Sequence, residues 1–381
     1  MTPIKFHGAG SEYFKIWIVN TLLTIITIGL YRPWAKVRSL RYFYGNTDLD
    51  NASFEYHATG KQLFPSYLIA IVILALYILL SKTNAALSGI FPIALVIALP
   101  WIVWRSLKFN FRMTSYRNVR FGFTGNLSSS YIAILAYPIS LLIAGFIVIY
   151  FIFSAIPQPD NIKIILLLLI FACPAYIAII KMVTSNFLIN GSHFGQGKFL
   201  AKLEFRPFFF IMLKATGLGL LLAAISLIIV YGVGFNALSQ TLQGMRGLGS
   251  RPSPATILSA FIIFYIVFIL VGMYVFSYTT ARQRQYILNS MQLDKSIRFQ
   301  STLAANKFFI IAFTNFLLLI CTLGLAYPWT AIRLYRYSME SIHVHAEEGF
   351  DGFISQQSDN KGPLGEELGD AFDVDVAGIA L

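Results

Sequence analysis

Charge is what this sequence has least of. Only 12% of its 381 residues are Asp, Glu, Lys or Arg, about half the share of an average soluble domain. Carboxylates are missing over long reaches: none lies between Glu55 and Asp160, Asp160 and Glu204, Glu204 and Asp294, or Asp294 and Glu340. The apolar stretches therefore hold no paired carboxylates for acid–base work. They also lack the intramembrane acids common in proton- and cation-coupled transporters. Cysteine is almost absent. Cys173 and Cys321 both lie in apolar runs and read as small core residues, not as a disulfide or metal framework. No Walker loop, dinucleotide fingerprint, nucleophile elbow or zincin helix occurs. His343 and His345 would share a strand face near Glu347 and Glu348, but two histidines fall short of a metal's ligand set. These residues point to no enzyme, no cofactor and no metal.

What the chain has in excess is apolar length. It is 57% hydrophobic, with a mean hydropathy of +0.68. Eight stretches approach the ~20 residues a spanning helix needs: 15–33, 64–80, 85–104, 131–153, 162–182, 207–233, 255–280 and 306–328. They predict a mainly α, polytopic membrane helix bundle of about eight spans. The net charge of +12 follows the loops: basic residues crowd every second one and thin out in those between. That is the positive-inside pattern, which makes the basic side cytoplasmic; nucleic-acid binding is not expected.

A repeat organises the basic loops. Pro-Trp occurs at 33–34, 100–101 and 328–329, although 14 Pro and 5 Trp in 381 residues would give well under one such pair by chance. Each pair closes an apolar run, and each is followed by an arginine at the same distance: Arg38, Arg105 and Arg333. Arg41-Tyr42 and Arg336-Tyr337 come next in the first and last copies. Degenerate copies start near 174 and 276, the second keeping Arg284, Tyr286 and Asn289. Short strand-like runs follow, such as Ser53-Phe54-Glu55-Tyr56 and Arg120-Phe121-Gly122-Phe123. Their alternation suits half-buried strands. Asn190-Gly191 is the strongest hairpin signal, with Asp50-Asn51 and Asp294-Lys295 weaker. The predicted unit is a span, an interfacial basic helix, a small β-hairpin and another span. Residues 1–353 form one membrane domain on this reading, and 354–381 an acidic, disordered tail.

Two segments resist the eight-span count. Asn20, Thr27, Gly29 and Leu30 match Asn315, Thr322, Gly324 and Leu325. Phe6-His7-Gly8 resembles the strand ends before later spans, yet eight crossings put it outside. If 15–33 and 306–328 are both re-entrant, both termini are cytoplasmic.

The candidate contact residues for anionic lipid or a ligand are Trp34, Arg38, Arg41, Trp101, Arg105, Arg284, Arg333 and Lys214. Tryptophan favours the headgroup layer, and clustered basic residues beside a membrane attract anionic groups. Lys214 is the clearest basic residue inside an apolar stretch, and snorkelling is its simplest reading. The expected role is non-enzymatic, with basic elbows touching anionic lipid or a protein partner. The alternative is a transporter or channel for a small solute, anionic or otherwise.

The motifs also carry a resemblance. Phe6-His7-Gly8, Glu12-Tyr13-Phe14, the run Gly29 to Arg38 and Tyr42 to Thr47 resemble the YjgN family of bacterial inner-membrane proteins, along nearly the whole chain to about residue 353. The resemblance implies a multi-pass inner-membrane location. That family has no known function, so it assigns no site residues.

Overall fold

The computed structural model describes residues 1–83, 85–157, 160–245, 254–294 and 296–346. Within them, strand pairs alternate with helical hairpins. Strands β1 (Thr2–Pro3) and β2 (Lys5–Phe6) lead into α1 (Gly10–Ile26), which turns back as α2 (Arg32–Gly45). Next come β3 (Thr47–Leu49), β4 (Ala52–Tyr56), α3 (Gly60–Thr83) and α4 (Ala85–Arg112). After β5 (Thr114–Tyr116) and β6 (Val119–Phe123), the outgoing helix is α5 (Leu127–Tyr131), a π-helical turn (Ile132–Ala136) and α6 (Tyr137–Ala155); α7 (Asp160–Asn190) returns. The pattern continues through β7 (Ser192–Phe194), β8 (Gly197–Ala201), α8 (Phe205–Met245) and α9 (Pro254–Ser290). It ends with β9 (Met291–Leu293), β10 (Ile297–Ser301), α10 (Ala305–Cys321), α11 (Tyr327–Glu340) and β11 (Ile342–Ala346).

The strands do not stay as separate small hairpins. They join edge to edge into one eleven-stranded antiparallel sheet, ordered β1-β11-β10-β9-β8-β7-β6-β5-β4-β3-β2. Its two ends belong to one short segment. Thr2 and Pro3 pair with Val344 and His343, and the Ile4 amide donates to the Ile342 carbonyl at 3.0 Å. Lys5 and Phe6 pair with Asp48 and Thr47. Thr2–Phe6 thus closes the sheet into a ring, which leaves no free edge. The same register recurs in β4: Ala52 and Ser53 pair within their own hairpin, while Phe54, Glu55 and Tyr56 pair with β5. The N-terminal segment therefore stands as the second strand of a hairpin whose first strand is β11. One structural unit is divided between the two ends of the chain, which explains why Phe6-His7-Gly8 reads like a strand end.

The ring's inner face is apolar. Ile4, Leu49, Tyr116, Val119, Phe194, Leu293, Ile297 and Val344 form one buried cluster. Phe54, Phe121, Phe199 and Phe299, all third residues of second strands, pack against it with neighbouring ring centroids 6.1–6.5 Å apart. Ser53, Glu55, Arg120, Lys198 and Arg298 on the other face are exposed. The hairpin turns are tight. Asp50 and Asn51 have φ of 50° and 57°, and Arg117 and Asn118 have 48° and 63°, as a type I′ turn requires. Asn190-Gly191 is not a turn of this kind. Asn190 ends α7 and uses its amide to hold both backbone groups of Ala201; that hairpin turns at Gly195, with φ 57°.

Each helical hairpin starts and ends at the same end of the ring, so every outgoing helix is followed by a returning one. Six helical segments are long and apolar enough to cross a membrane: Gly60–Lys82, Ser88–Arg112, Leu127–Ala155, Asp160–Asn190, Phe205–Ser226 and Phe264–Ser290. The eight-span count is thereby corrected to six among the described residues. The two extra stretches, 15–33 and 306–328, are short hairpins that turn back. Gly29 has φ 90° and Gly324 88°, preceded by Ile28 at 51° and Leu323 at 50°. The Gly29 amide reaches the Thr24 carbonyl at 2.7 Å, and that of Gly324 reaches Leu319 at 2.8 Å. Such six-to-one bonds end a helix. α1 extends only about 25 Å at 1.5 Å per residue. The first and last described strands lie together: Thr2 and Val344 are ladder partners. The tail assigned to 354–381 lies outside the described residues.

Candidate functional site: a basic collar and an axial mouth

The returning helices carry the basic residues between the ring and the spans. Arg38, Arg105, Arg282 and Arg333 each lie nine residues before a strand start, and all four are exposed. The Arg38 guanidinium donates to Asn20 Oδ1 at 3.4 Å and the Tyr31 hydroxyl at 3.3 Å. That of Arg333 donates to Thr314 Oγ1 at 2.8 Å. Arg105 lies 5.5 Å from the Trp101 ring centroid, and Lys108 lies 4.2 Å from that of Trp104. These partners are neutral. Carboxylates pair elsewhere, with Arg117, Lys163, His7 and His57. A cation held over an aromatic face keeps its full charge for another partner. Trp101 and Trp329 are each 44% exposed, as tryptophans at a headgroup layer would be. Trp34 instead packs between Tyr31 and Phe64, with centroids at 6.0 and 5.2 Å.

Arg41 does other work. Its guanidinium holds the Tyr56 carbonyl at 3.2 Å and that of Ala58 at 2.8 Å, tying α2 to the end of its own hairpin. Arg336 makes the matching bond to the Gly8 carbonyl at 2.8 Å, so it closes the divided unit. Tyrosines one residue later lock neighbouring units. Tyr42 accepts from the Ala9 amide at 2.8 Å and donates to its carbonyl at 3.0 Å. Tyr337 does the same at Ala304, and the Tyr286 hydroxyl accepts from the Glu204 amide at 2.9 Å. Burial, above all, pushes Tyr42 up to about 12, so it stays a donor. Asn20 and Asn315 hold the Ala35 and Thr330 carbonyls at 3.3 and 3.1 Å, pinning each short hairpin shut. Lys214 is exposed on α8, apart from the arginines.

Arg284 is the one candidate that faces inward. Leu288 and Met339 pack against the ring's core cluster. Arg284 and Tyr335 sit four residues before them, on the same helical faces, and so face the membrane-side mouth of the ring. The Tyr335 ring packs on Phe6 and Phe43 at 4.9 and 4.7 Å, and its hydroxyl is 3.1 Å from Thr47 Oγ1. Burial raises the Tyr335 pKa, while the Thr47 hydrogen bond and Arg284 beside it oppose the rise. Tyr335 and Thr47 escaped the sequence reading because they meet across the closing seam, 288 residues apart.

A polytopic helical protein built on a closed strand ring, rimmed by tryptophan and arginine, belongs to the multi-pass membrane class. The chain is a member of the family described as "Bacterial protein of unknown function (DUF898)", whose model matches residues 1–371. It is 30% identical to the inner membrane protein YjgN of Salmonella typhimurium over 354 residues, 90% of this chain and 88% of the relative. It is 24% identical to the YjgN proteins of Escherichia coli O157:H7 and K12 over 347 residues, 89% of this chain and 87% of each. No solved structure matches the chain. These relatives and the apolar helices define a multi-pass inner-membrane protein.

Proposed function

We propose that the protein is a non-enzymatic membrane protein whose basic collar, on the cytoplasmic face, gathers anionic lipid headgroups around the strand ring. The observation that carries this reading is the set of exposed collar cations held by neutral partners. Arg38, Arg105, Lys108 and Arg333 rest on amide, hydroxyl or indole groups. Each basic residue beside an anionic bilayer contributes about 1 kcal/mol of attraction. The transporter alternative draws less support. The ring is filled with apolar side chains, Lys214 is exposed, and Asn20 and Asn315 are spent on backbone carbonyls.

The test is lipid retention by native mass spectrometry from nanodiscs of mixed phosphatidylglycerol and phosphatidylcholine. Wild type should enrich phosphatidylglycerol, and Arg38→Gln with Arg105→Gln should lower that enrichment several-fold. Equal enrichment in both proteins would leave the arginines as anchors and overturn the reading.

A further inference from the structure

The tyrosine lock is not repeated all the way round the ring. Tyr42, Tyr286 and Tyr337 each stand five residues before a strand and bond the backbone where the outgoing helix of their own helical hairpin begins. The matching residues of the other two helical hairpins are Phe109 and Phe187. The α3/α4 hairpin compensates locally, because Gln62 Oε1 accepts from the Thr59 amide at 2.9 Å. The next hairpin does not. Its aromatic ring is in place: a Cβ at Gly125 would lie 3.2 Å from Phe187, as one at Gly8 would lie 3.2 Å from Tyr42. Only the hydroxyl is missing, and among the described residues no other group accepts from the Asn126 amide. The outgoing helix here is tied the other way. Ser130 Oγ donates to the Pro100 carbonyl at 2.8 Å, and Trp104 Nε1 donates to that of Gly125 at 2.6 Å, so its first turn leans on α4. The π-helical turn follows, a feature frequent at functional sites. Between this helix and its partner α7 lies a cavity of about 310 Å³. Ser129, Ile132 and Ala133 line one side, and Val183, Asn186 and Phe187 the other. No charged side chain lines it. Asn186 is engaged with the Leu203 backbone. Ser129 is exposed, and its hydroxyl has no partner among the described residues. Two neutral donors, the Ser129 hydroxyl and the Asn126 amide, therefore stand beside an apolar wall.

We propose that this cavity seats the glycerol–ester region of one phospholipid, its ester carbonyls accepting from Ser129 and Asn126 and an acyl chain lying against Ile132, Ala133 and Val183. Ester carbonyls accept and do not donate, which matches a cavity whose unengaged groups are donors. The place suits such a ligand. Ile132 is 49% exposed on the membrane-length helix Leu127–Ala155, so the cavity opens sideways to lipid. The Trp104 indole, bonded to Gly125 at the rim, marks the headgroup layer. The proposal does not rest on the collar, since an ester is neutral and no cation lines the cavity.

The experiment uses the full chain in nanodiscs of phosphatidylcholine, which carries no net charge, with retained lipid counted by native mass spectrometry. The account expects one tightly held phosphatidylcholine per chain. Phe187→Tyr supplies the hydroxyl that three other hairpins have. It should accept from the Asn126 amide, close the seam and weaken retention about tenfold. Ala133→Leu fills the cavity and should act in the same direction. Thermal unfolding checks that each variant is folded; if Ala133→Leu fails, Phe187→Tyr adds only a hydroxyl and still carries the test. Arg38→Gln with Arg333→Gln should strip phosphatidylglycerol from the collar and leave this phosphatidylcholine in place, so the two readings fail separately. Undiminished retention by folded Phe187→Tyr, or no phosphatidylcholine held by wild type, would overturn the proposal.

Discussion

His193 shows how a single residue is governed by neighbours far away in the chain. It lies on β7 opposite Gly122 of β6 and Lys198 of β8. Its ring covers Gly122 so closely that a Cβ there would sit 2.1 Å from Nε2. Its Nδ1 is buried without a partner. Burial first, and the Lys198 charge second, lower its pKa below the usual histidine value. The sign follows directly. In the unfolded chain His193 takes a proton as pH falls through about 6.5, while the folded site resists it until a lower pH. Stability that is present at neutral pH is therefore lost as the solution is acidified. Thermal unfolding between about pH 7.5 and pH 5.5 should show a smaller drop for His193→Gln than for wild type; an identical drop would mean that His193 is not among the groups responsible. The sequence shows a lone histidine near a strand end, but not that a glycine lies under it. The same limit applies to Arg284. Its place in a repeat is legible, yet its inward direction depends on Leu288 reaching the ring core.

At the scale of elements, the two short hairpins are the instructive case. Their turns match residue for residue. Thr27 Oγ1 accepts from the Tyr31 amide at 3.0 Å, as Thr322 Oγ1 does from Ala326 at 3.1 Å. Ile28 and Leu323 take a positive φ that glycine would adopt freely, at a cost on the order of 1 kcal/mol. Both are 93% exposed. A strained, fully exposed apolar tip is sensible only in lipid. Each tip lies only six residues before Trp34 or Trp329, four of them in the turn itself. So short a reach suits an interfacial insertion and not a crossing. A fluorophore attached at Ile28→Cys should be quenched more by a lipid labelled near its headgroup than by one labelled at the acyl-chain end. Quenching by an impermeant reagent on the face opposite the ring would show instead that the hairpin crosses. Hydropathy alone misjudged these segments because tip, turn and the start of α2 read together as one apolar run. The matched Asn, Thr, Gly and Leu positions carried the truer signal, since identical turns need identical residues.

The whole molecule is a ring of like units in which one unit is shared by the two chain ends. Strand alternation, Pro-Trp spacing and the strand-like ending at Phe6 were all legible in the sequence. The closed ring was not, because no local pattern says that the last strand pairs with the first. Closure accounts for several features together. It places the first and last described strands side by side, removes every sheet edge, and gives Arg336 its partner at Gly8. Parity then allows only an even number of crossings between successive hairpins. The direct test is cysteine accessibility in intact cells, in a background free of Cys173 and Cys321, using an impermeant maleimide. Ser53→Cys lies on β4, His345→Cys on β11 and Asp160→Cys at the start of α7, and all three positions are exposed. The account predicts that Ser53→Cys and His345→Cys behave alike, both protected, while Asp160→Cys is labelled from outside. Protection of Ser53→Cys together with labelling of His345→Cys would put β4 and β11 on opposite faces and contradict the ring.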